Sequence, residues 1–370
     1  MPLAVLIAPD KFKGTLTAIQ AAKAITRGWK AERPEDRITQ LAISDGGDGF
    51  GLLLGKLLDA QTRQATTVDA ARRPVRSHWW FEPKSHTAVI ESANVIGLAM
   101  LPHGKFHPFD LDTFGLGKTL QRAATAGATR CIVGIGGSAT NDGGFGVARA
   151  LGWRFLKHDG NEIEQWPELI SLHLIKPPKL KRLFDKLTVA VDVQNHLLGR
   201  SGASHVYGPQ KGLGAKDIPL AEAALRRLAM VWSKQNSSAS KLPGSGAAGG
   251  LGFGMHCFAG AKIESGFELF SGMAKLPQLI RRHDLVITGE GTLDRQTVMG
   301  KGVGELAKMA KNCDCDCYAL AGKIENEKML SPYFNECAAL VDLTPSRKAE
   351  ANAAIWLERS AGNLAKQCAI

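Results

Sequence analysis

The segment Arg130-Cys-Ile-Val-Gly-Ile-Gly-Gly-Ser-Ala-Thr-Asn-Asp-Gly-Gly-Phe-Gly146 joins a short apolar run to a stretch almost without side-chain bulk. Cys131 to Ile135 predicts a buried strand, and Phe145 to Leu151 predicts the opening of an amphipathic helix. Between them Gly136, Gly137, Gly143 and Gly144 permit close backbone approach and unusual dihedrals, while Ser138, Thr140, Asn141 and Asp142 supply short polar groups. Unpaired backbone N–H groups at a helix start, reinforced by the helix dipole, attract phosphate or carboxylate. An acidic side chain beside them suits a phosphate-bound Mg2+. The stretch therefore reads as an anion cradle between a strand and a helix, because a plain turn needs one or two glycines rather than four.

Working outward, the N-terminal Ala4 to Ala8 reads as a strand, followed by Pro9-Asp-Lys-Phe-Lys-Gly-Thr15 and a helix. Thr17 with Gln20 makes a capping box, and Leu16, Ile19, Ala22, Ile25 and Trp29 recur at helical spacing. Asp10, Lys11 and Lys13 thus fall at the carboxyl end of a strand, where open α/β sheets bind ligands. A second strand, Arg37 to Ile43, runs into Ser44-Asp-Gly-Gly-Asp-Gly49. From about Val68 the rhythm changes: Val75 to Phe81 and Thr87 to Glu91 read as strands without long helices between them. Further on, Leu187 to Val191 predicts a strand ending in Asp192, and Tyr207-Gly-Pro-Gln-Lys-Gly-Leu-Gly214 is another small-residue loop, carrying Lys211. Strand–helix alternation returns after Arg282, with strands at Asp284 to Thr288, Cys317 to Ala321 and Ala338 to Leu343; the first ends in a loop, Gly289-Glu-Gly-Thr-Leu-Asp294. The expectation is an α/β protein of two domains. A doubly wound, flavodoxin- or Rossmann-like sheet of five strands comes from both chain ends (1–70 and 280–370), and a second α/β domain (71–279) carrying the glycine-rich loops is inserted, with the loops gathered in the cleft between them.

Composition narrows the partner. The chain of 370 residues carries a net charge of +11, yet its Lys and Arg residues are scattered and aromatic residues make up only 6%. That disfavours nucleic acid, which calls for basic stripes and stacking platforms, and suits phosphorylated or carboxylated metabolites. No apolar run is long enough to span a membrane. Seven cysteines, an odd number, and an N-terminus without a basic leader point to the cytoplasm.

Motifs narrow the chemistry. G-x-x-x-x-G-K-[ST] is absent, and so is the protein-kinase set. Gly134-Ile-Gly136-Gly-Ser-Ala139 matches G-x-G-x-x-A after a strand, which keeps a nicotinamide-dependent oxidoreductase of a small hydroxy acid as the alternative reading; the loop residues Ser138 to Gly144 are too many for the usual pyrophosphate turn. Taken with this loop, the segments Ala8-Pro-Asp-Lys-Phe-Lys-Gly-Thr15, Ser44-Asp-Gly-Gly-Asp-Gly49, Ala190-Val-Asp-Val-Gln-Asn195, Tyr207-Gly-Pro-Gln-Lys-Gly212, Gly246-Ala-Ala-Gly-Gly-Leu-Gly-Phe253 and Ile287-Thr-Gly-Glu-Gly-Thr-Leu-Asp294 resemble, in order, the bacterial glycerate kinase family. The resemblance implies ATP- and Mg2+-dependent phosphorylation of D-glycerate, with 2-phosphoglycerate as product. It departs from the usual pattern at Lys11, Asp48 and His196.

Phosphoryl transfer needs a phosphate cradle, a metal held by carboxylates, a cation on the developing charge and a base for the substrate hydroxyl. Gly136 to Gly144 supplies a cradle for phosphate or for the glycerate carboxylate. Asp142, Asp192, Glu290 and Asp294 are the candidates for metal, with Asp142 and Asp294 preferred, and Lys13 and Lys211 those for positive charge. Asp45 and Asp192 are the candidates for the base. Asp10, Lys11, Gly136, Gly137, Ser138, Thr140, Asn141, Gly289 and Glu290 complete the expected set around substrate and phosphate.

Overall fold

The computed structural model describes every residue except 180–181, 234–237, 299–301 and 369–370. In chain order its strands are β1 (Ala4–Ile7), β2 (Arg37–Gln40), β3 (Gln61–Val68), β4 (Pro74–Glu82), β5 (Thr87–Glu91), β6 (Arg130–Gly134), β7 (Arg154–Leu156), β8 (Leu174–Lys176), β9 (Lys186–Val191), β10 (Lys262–Ser265), β11 (Leu285–Leu293), β12 (Asp316–Ile324) and β13 (Glu336–Ala339). They divide between two compact units, Met1–Asp45 with Phe267–Ile370, and Gly46–Gly266.

The first unit holds a five-stranded sheet in the order β13-β12-β11-β1-β2, every neighbouring pair parallel. Burial explains its centre: all four residues of β1 are buried, as befits a strand covered on both faces. The helix Ala18–Glu32 starts at the Thr17–Gln20 capping box and buries Ala22, Ile25 and Trp29. It lies against the helix Ala353–Gln367 so closely that a Cβ on Gly28 would sit 1.9 Å from the Glu358 carbonyl oxygen. One expectation is corrected here. Gly289 to Leu293 is not a loop but a continuation of β11, with Glu290 opposite Ala321 and Thr292 opposite Lys323 on β12. Its glycines serve that pairing: a Cβ on Gly289 would stand 2.0 Å from the Leu320 carbonyl oxygen, and one on Gly322 would stand 2.6 Å from that of Gly291. Similarly β13 stops at Ala339, and Leu340–Asp342 turns into a single 3-10 turn.

The second unit is built on a six-stranded sheet, β10-β9-β6-β5-β4-β3, in which β10, β9, β6 and β5 are parallel and β4 and β3 complete it antiparallel. The divisions lie at 45/46 and 266/267, not near 70 and 280. The reason is packing: the helix Phe50–Leu57 sets Gly51 and Gly55 directly on Trp80 of β4, where a Cβ would come within 2.4 and 2.6 Å of the indole. At the other end Phe267 is buried and packs on Gly302 of the first unit. The glycine-rich segment before the helix ending at Ala259 is a tight contact as well. Ala248, Gly249 and Gly250 all have left-handed backbone (φ 54°, 71° and 84°), and Gly254 lies on Gly143 and Gly144 with no room for a Cβ.

Candidate active site

In the second unit the organising loop leaves β6 at Gly134 and reaches the helix Phe145–Ala150. Gly136 lies on Gly47, where a Cβ would be 2.6 Å from the Gly47 Cα. Gly137 has φ +74° and faces Asp48, whose Oδ1 would be 2.0 Å from an added Cβ. Only glycine suits that position. Ser138, Thr140, Asn141 and Asp142 are all buried. The Ser138 hydroxyl donates to the Ala248 carbonyl (3.2 Å) and lies 3.3 Å from Thr140 Oγ1.

Lys211 meets this loop from a 3-10 turn, Pro209–Lys211. Its Nζ donates to the Thr140 carbonyl at 2.6 Å and to Ser138 Oγ at 3.5 Å. Burial draws its ammonium down to about 7, against the opposing charge of Asp142. The result is a buried amine fixed to the loop, whose charged form an anion bound beside it would stabilise. Asn141 donates to Ser204 Oγ at 3.1 Å, and its Oδ1 is buried without a hydrogen-bond partner.

Asp142, expected as a metal ligand, is placed otherwise. Its Oδ2 accepts from the backbone N–H and hydroxyl of Thr113 (3.0 and 2.8 Å) and from Gly146 N–H (2.9 Å), and Oδ1 accepts from Gly144 N–H (3.1 Å). Four donors on a fully buried carboxylate describe a helix cap tied to a neighbouring turn. Even so, burial and the charge of Asp112 push its carboxyl up to about 6. Asp192 follows the last residue of β9 and is exposed. Its charge, after burial, helps push the Tyr207 phenol up to about 12, and that hydroxyl donates to Asn195 Oδ1 at 2.6 Å.

The first unit gathers carboxylates at the carboxyl ends of three adjacent strands, β11, β1 and β2. Asp10 is buried, its N–H donates to the Gly289 carbonyl (2.8 Å), and its Oδ1 accepts from Lys11 N–H (2.7 Å). Burial first, then the charges of Asp45 and Glu290, push its carboxyl up to about 8; the Lys11 N–H and ammonium oppose this. Glu290 Oε1 accepts from the Thr297 hydroxyl (2.8 Å), and Asp294 Oδ1 accepts from the Thr297 N–H (3.2 Å), so one threonine fixes both carboxylates. Lys13 lies exposed on the turn after the buried Phe12. Of the expected residues, Asp10, Lys11, Asp45 and Glu290 are thus electrostatic neighbours in one unit, and Ser138, Thr140 and Lys211 form one bonded group in the other.

Sequence reasoning passed over Thr113, Thr297 and Glu91. Glu91, at the end of β5, accepts from the N–H groups of Gly49 and Gly51 (2.7 and 3.2 Å) and so caps a helix whose own N-cap, Gly49, has no side chain. A helix led by glycine rather than Ser, Thr or Asp was the available signal, since its N–H groups need an acceptor from elsewhere.

The sequence model of the glycerate kinase family matches residues 5–369. The chain is 37% identical to a glycerate kinase of Bacillus subtilis, across 98% of this chain and 96% of that one, and 35% identical to the glycerate 2-kinase of Escherichia coli K12, across 87% and 86%. A crystal structure from Salmonella typhimurium LT2, described as a glycerate kinase 2, superimposes with a TM-score of 0.83 at 31% identity and covers 99% of this chain and 98% of that one. These likenesses give no support to the nicotinamide-dependent reading of the Gly134–Ala139 segment, and neither does the loop itself, whose helix begins only at Phe145.

Proposed function

The chain belongs to the glycerate kinase family, and we propose that it transfers the terminal phosphoryl group of ATP to D-glycerate, giving 2-phosphoglycerate. The observation that carries this reading is the Gly136–Asn141 loop with the Lys211 ammonium bonded to its Thr140 carbonyl, an anion cradle with a buried cation. The name of the Escherichia coli relative favours the 2-position. The accompanying fold reading is a two-domain enzyme, with the parallel β13-β12-β11-β1-β2 sheet doubly wound and the other unit inserted into it. We place the enzyme in the cytoplasm with small-molecule partners alone, neither nucleic acid nor membrane. All seven cysteines are free, and among the described residues no helix is long and apolar enough to cross a membrane.

In this reading Gly136, Gly137, Ser138, Thr140, Asn141 and Lys211 bind phosphate or carboxylate oxygens. Asp45 takes the proton of the substrate hydroxyl, because the neighbouring Asp10 holds its own proton up to about pH 8 and so does not double the local charge. Lys11 and Lys13 add positive charge at the same strand end, and Gly289 keeps β11 close enough to β12 to hold Glu290 in place. Asp192 is the second candidate for the base, favoured by its exposed position after β9. Among the described residues no group of three His, Cys, Asp or Glu side chains is set to hold a metal by itself. Mg2+ in kinases takes one or two carboxylates and completes its shell with phosphate and water. Glu290 and Asp294, joined through Thr297, fit that description, and Asp142 is withdrawn to its capping role. Mg2+ held there would neutralise charge on the nucleotide phosphates.

A coupled assay of ADP release tests the proposal. D-glycerate supports turnover and glycolate, which lacks the third carbon, does not; equal rates with both would remove the shaped glycerate pocket. In the same assay Asp45→Asn lowers kcat by roughly 10²- to 10⁴-fold. A larger loss for Asp192→Asn would pass the proton to Asp192.

A further inference from the structure

We propose that the cavity along the β9–β10 edge of the second unit receives the nucleoside end of the phosphoryl donor, its base and ribose. The inference rests on the kinase reading above. The cavity measures about 290 Å3, near the lower end of small-molecule sites, which span roughly 300–1,000 Å3. It has room for a nucleoside, not for an entire nucleoside triphosphate.

Its place in the sheet gives the first argument. Strand β10 is the edge of the sheet and pairs in parallel with β9, so that Ser265 stands beside Val191 at the carboxyl ends of both. Ligands of open parallel sheets bind at that end. The residue after Val191 is Asp192, and the next strand inward is β6, which gives rise to the glycine loop. Along the carboxyl ends of three successive strands lie the cavity, Asp192 and the cradle. A nucleotide with its base in the cavity and its phosphates turned inward follows that line.

The lining gives the second argument. Val191, Ile263, Leu242 and Pro243 form apolar walls. Gly244, at φ +81°, keeps the floor low: a Cβ there would press to 2.9 Å on both Val191 Cγ2 and Ile263 Cγ2. Polar groups stand around these walls, Gln194, His256, Lys262, Glu264 and Ser265. The His256 Nδ1 lies 2.9 Å from the Ala261 carbonyl oxygen, which places the proton of the neutral ring on Nδ1 and leaves Nε2 as an acceptor. Glu264 also accepts, one of its oxygens being paired with the Lys262 ammonium at 2.8 Å. Apolar walls with a rim of both donors and acceptors suit a flat base with polar edges and a ribose that offers hydroxyls. The Lys262 ammonium on this rim is already paired with Glu264, so phosphate and glycerate, both anions, belong instead with Lys211.

Two variants test this, with ADP binding measured calorimetrically in EDTA and ATP and D-glycerate kinetics measured beside it. Ile263→Trp fills the cavity, and Gln194→Ala removes a polar group from an exposed position where folding is not at stake. Both weaken ADP binding and raise the KM for ATP, by about tenfold or more for Ile263→Trp and severalfold for Gln194→Ala, roughly 1.4 kcal/mol per factor of ten. The KM for D-glycerate stays within twofold. Unchanged ADP binding in a folded Ile263→Trp protein overturns the assignment, and if that variant does not fold, unchanged binding in Gln194→Ala does so. A wild-type protein that binds ADP, loses it in these variants and yet does not phosphorylate D-glycerate upholds the nucleoside site while defeating the choice of substrate.

Discussion

The two units place their polar groups at the carboxyl ends of parallel strands by opposite means. In the unit built on β6 and β9 the loop offers backbone and one ammonium: Gly136 and Gly137 bring the chain against Gly47 and Asp48, and Lys211 is anchored on a loop carbonyl. In the unit built on β1 and β11 the strand ends offer carboxylates, Asp10, Asp45 and Glu290, and the charges of the last two, with burial, raise the affinity of Asp10 for its proton. A backbone cradle is bought with glycines, because every Cβ it lacks is a contact the chain makes. A carboxylate cluster is limited instead by desolvation and like charge, and relieves both by keeping a proton. The first kind of site therefore fails when side-chain volume is added, and the second responds to pH.

The largest expected effect tests the first half of that contrast. Gly137→Val sets a branched side chain where the Asp48 Oδ1 stands 2.0 Å from the Cβ position, on a backbone with φ +74°. Turnover falls by roughly 10²-fold or more, since small misplacements of a positioning loop already cost that much, while the protein stays soluble. Near-normal kinetics would mean that the loop is only a connection. A smaller effect tests the second half. The Asp10 carboxyl is raised from 3.8 to about 8 in the fold, so between about pH 4 and 8 the folded state binds more protons than the unfolded chain and stability declines as pH rises. Asp10→Asn removes that dependence, so its melting temperature gains on the wild type steadily from pH 4 to 8 and levels off above. A difference that stays flat over that range would show Asp10 ionised in the fold and dissolve the contrast between the units.

How much of this was written in the sequence follows from the same physics. The inner strands of both sheets were legible because β1, β6 and β9 are apolar runs with almost every residue buried. The edge strand β3 was not, since only Ala65 and Thr67 of its eight residues are buried, and the half-exposed β10 gave no stronger sign. Glycine clustering showed where the chain makes close approaches but not to what: Gly289 serves a strand pairing and Gly249 lies against the Thr140 carbonyl. The Asp142 cap was hidden because its partner Thr113 is 29 residues away. Lys211 stood out as a lone cation in a small-residue loop; that it is buried and bonded to Thr140, 71 residues distant, is a property of the tertiary fold.

The smallest effect concerns the support of the cradle. Ala248 carries a left-handed backbone (φ 54°, ψ 37°), and its carbonyl accepts from the Ser138 hydroxyl. For a residue with a Cβ this conformation costs about 1–2 kcal/mol. Ala248→Gly relieves that strain. Against the gain stand the greater freedom of glycine in the unfolded chain, about 0.5–1 kcal/mol, and the loss of a methyl that is only half-buried against the core of the second unit, a part of the ~0.8 kcal/mol of a fully buried one. The terms nearly cancel, leaving a change within about 0.5 kcal/mol in either direction. The carbonyl that holds Ser138 is kept, so kcat and both KM values stay within twofold of the wild type. Denaturant unfolding and the coupled assay check the two halves of this prediction separately. A clear loss of turnover without a loss of stability would show that the strain at Ala248 itself tunes the cradle, making its geometry depend on more than the glycines that line it.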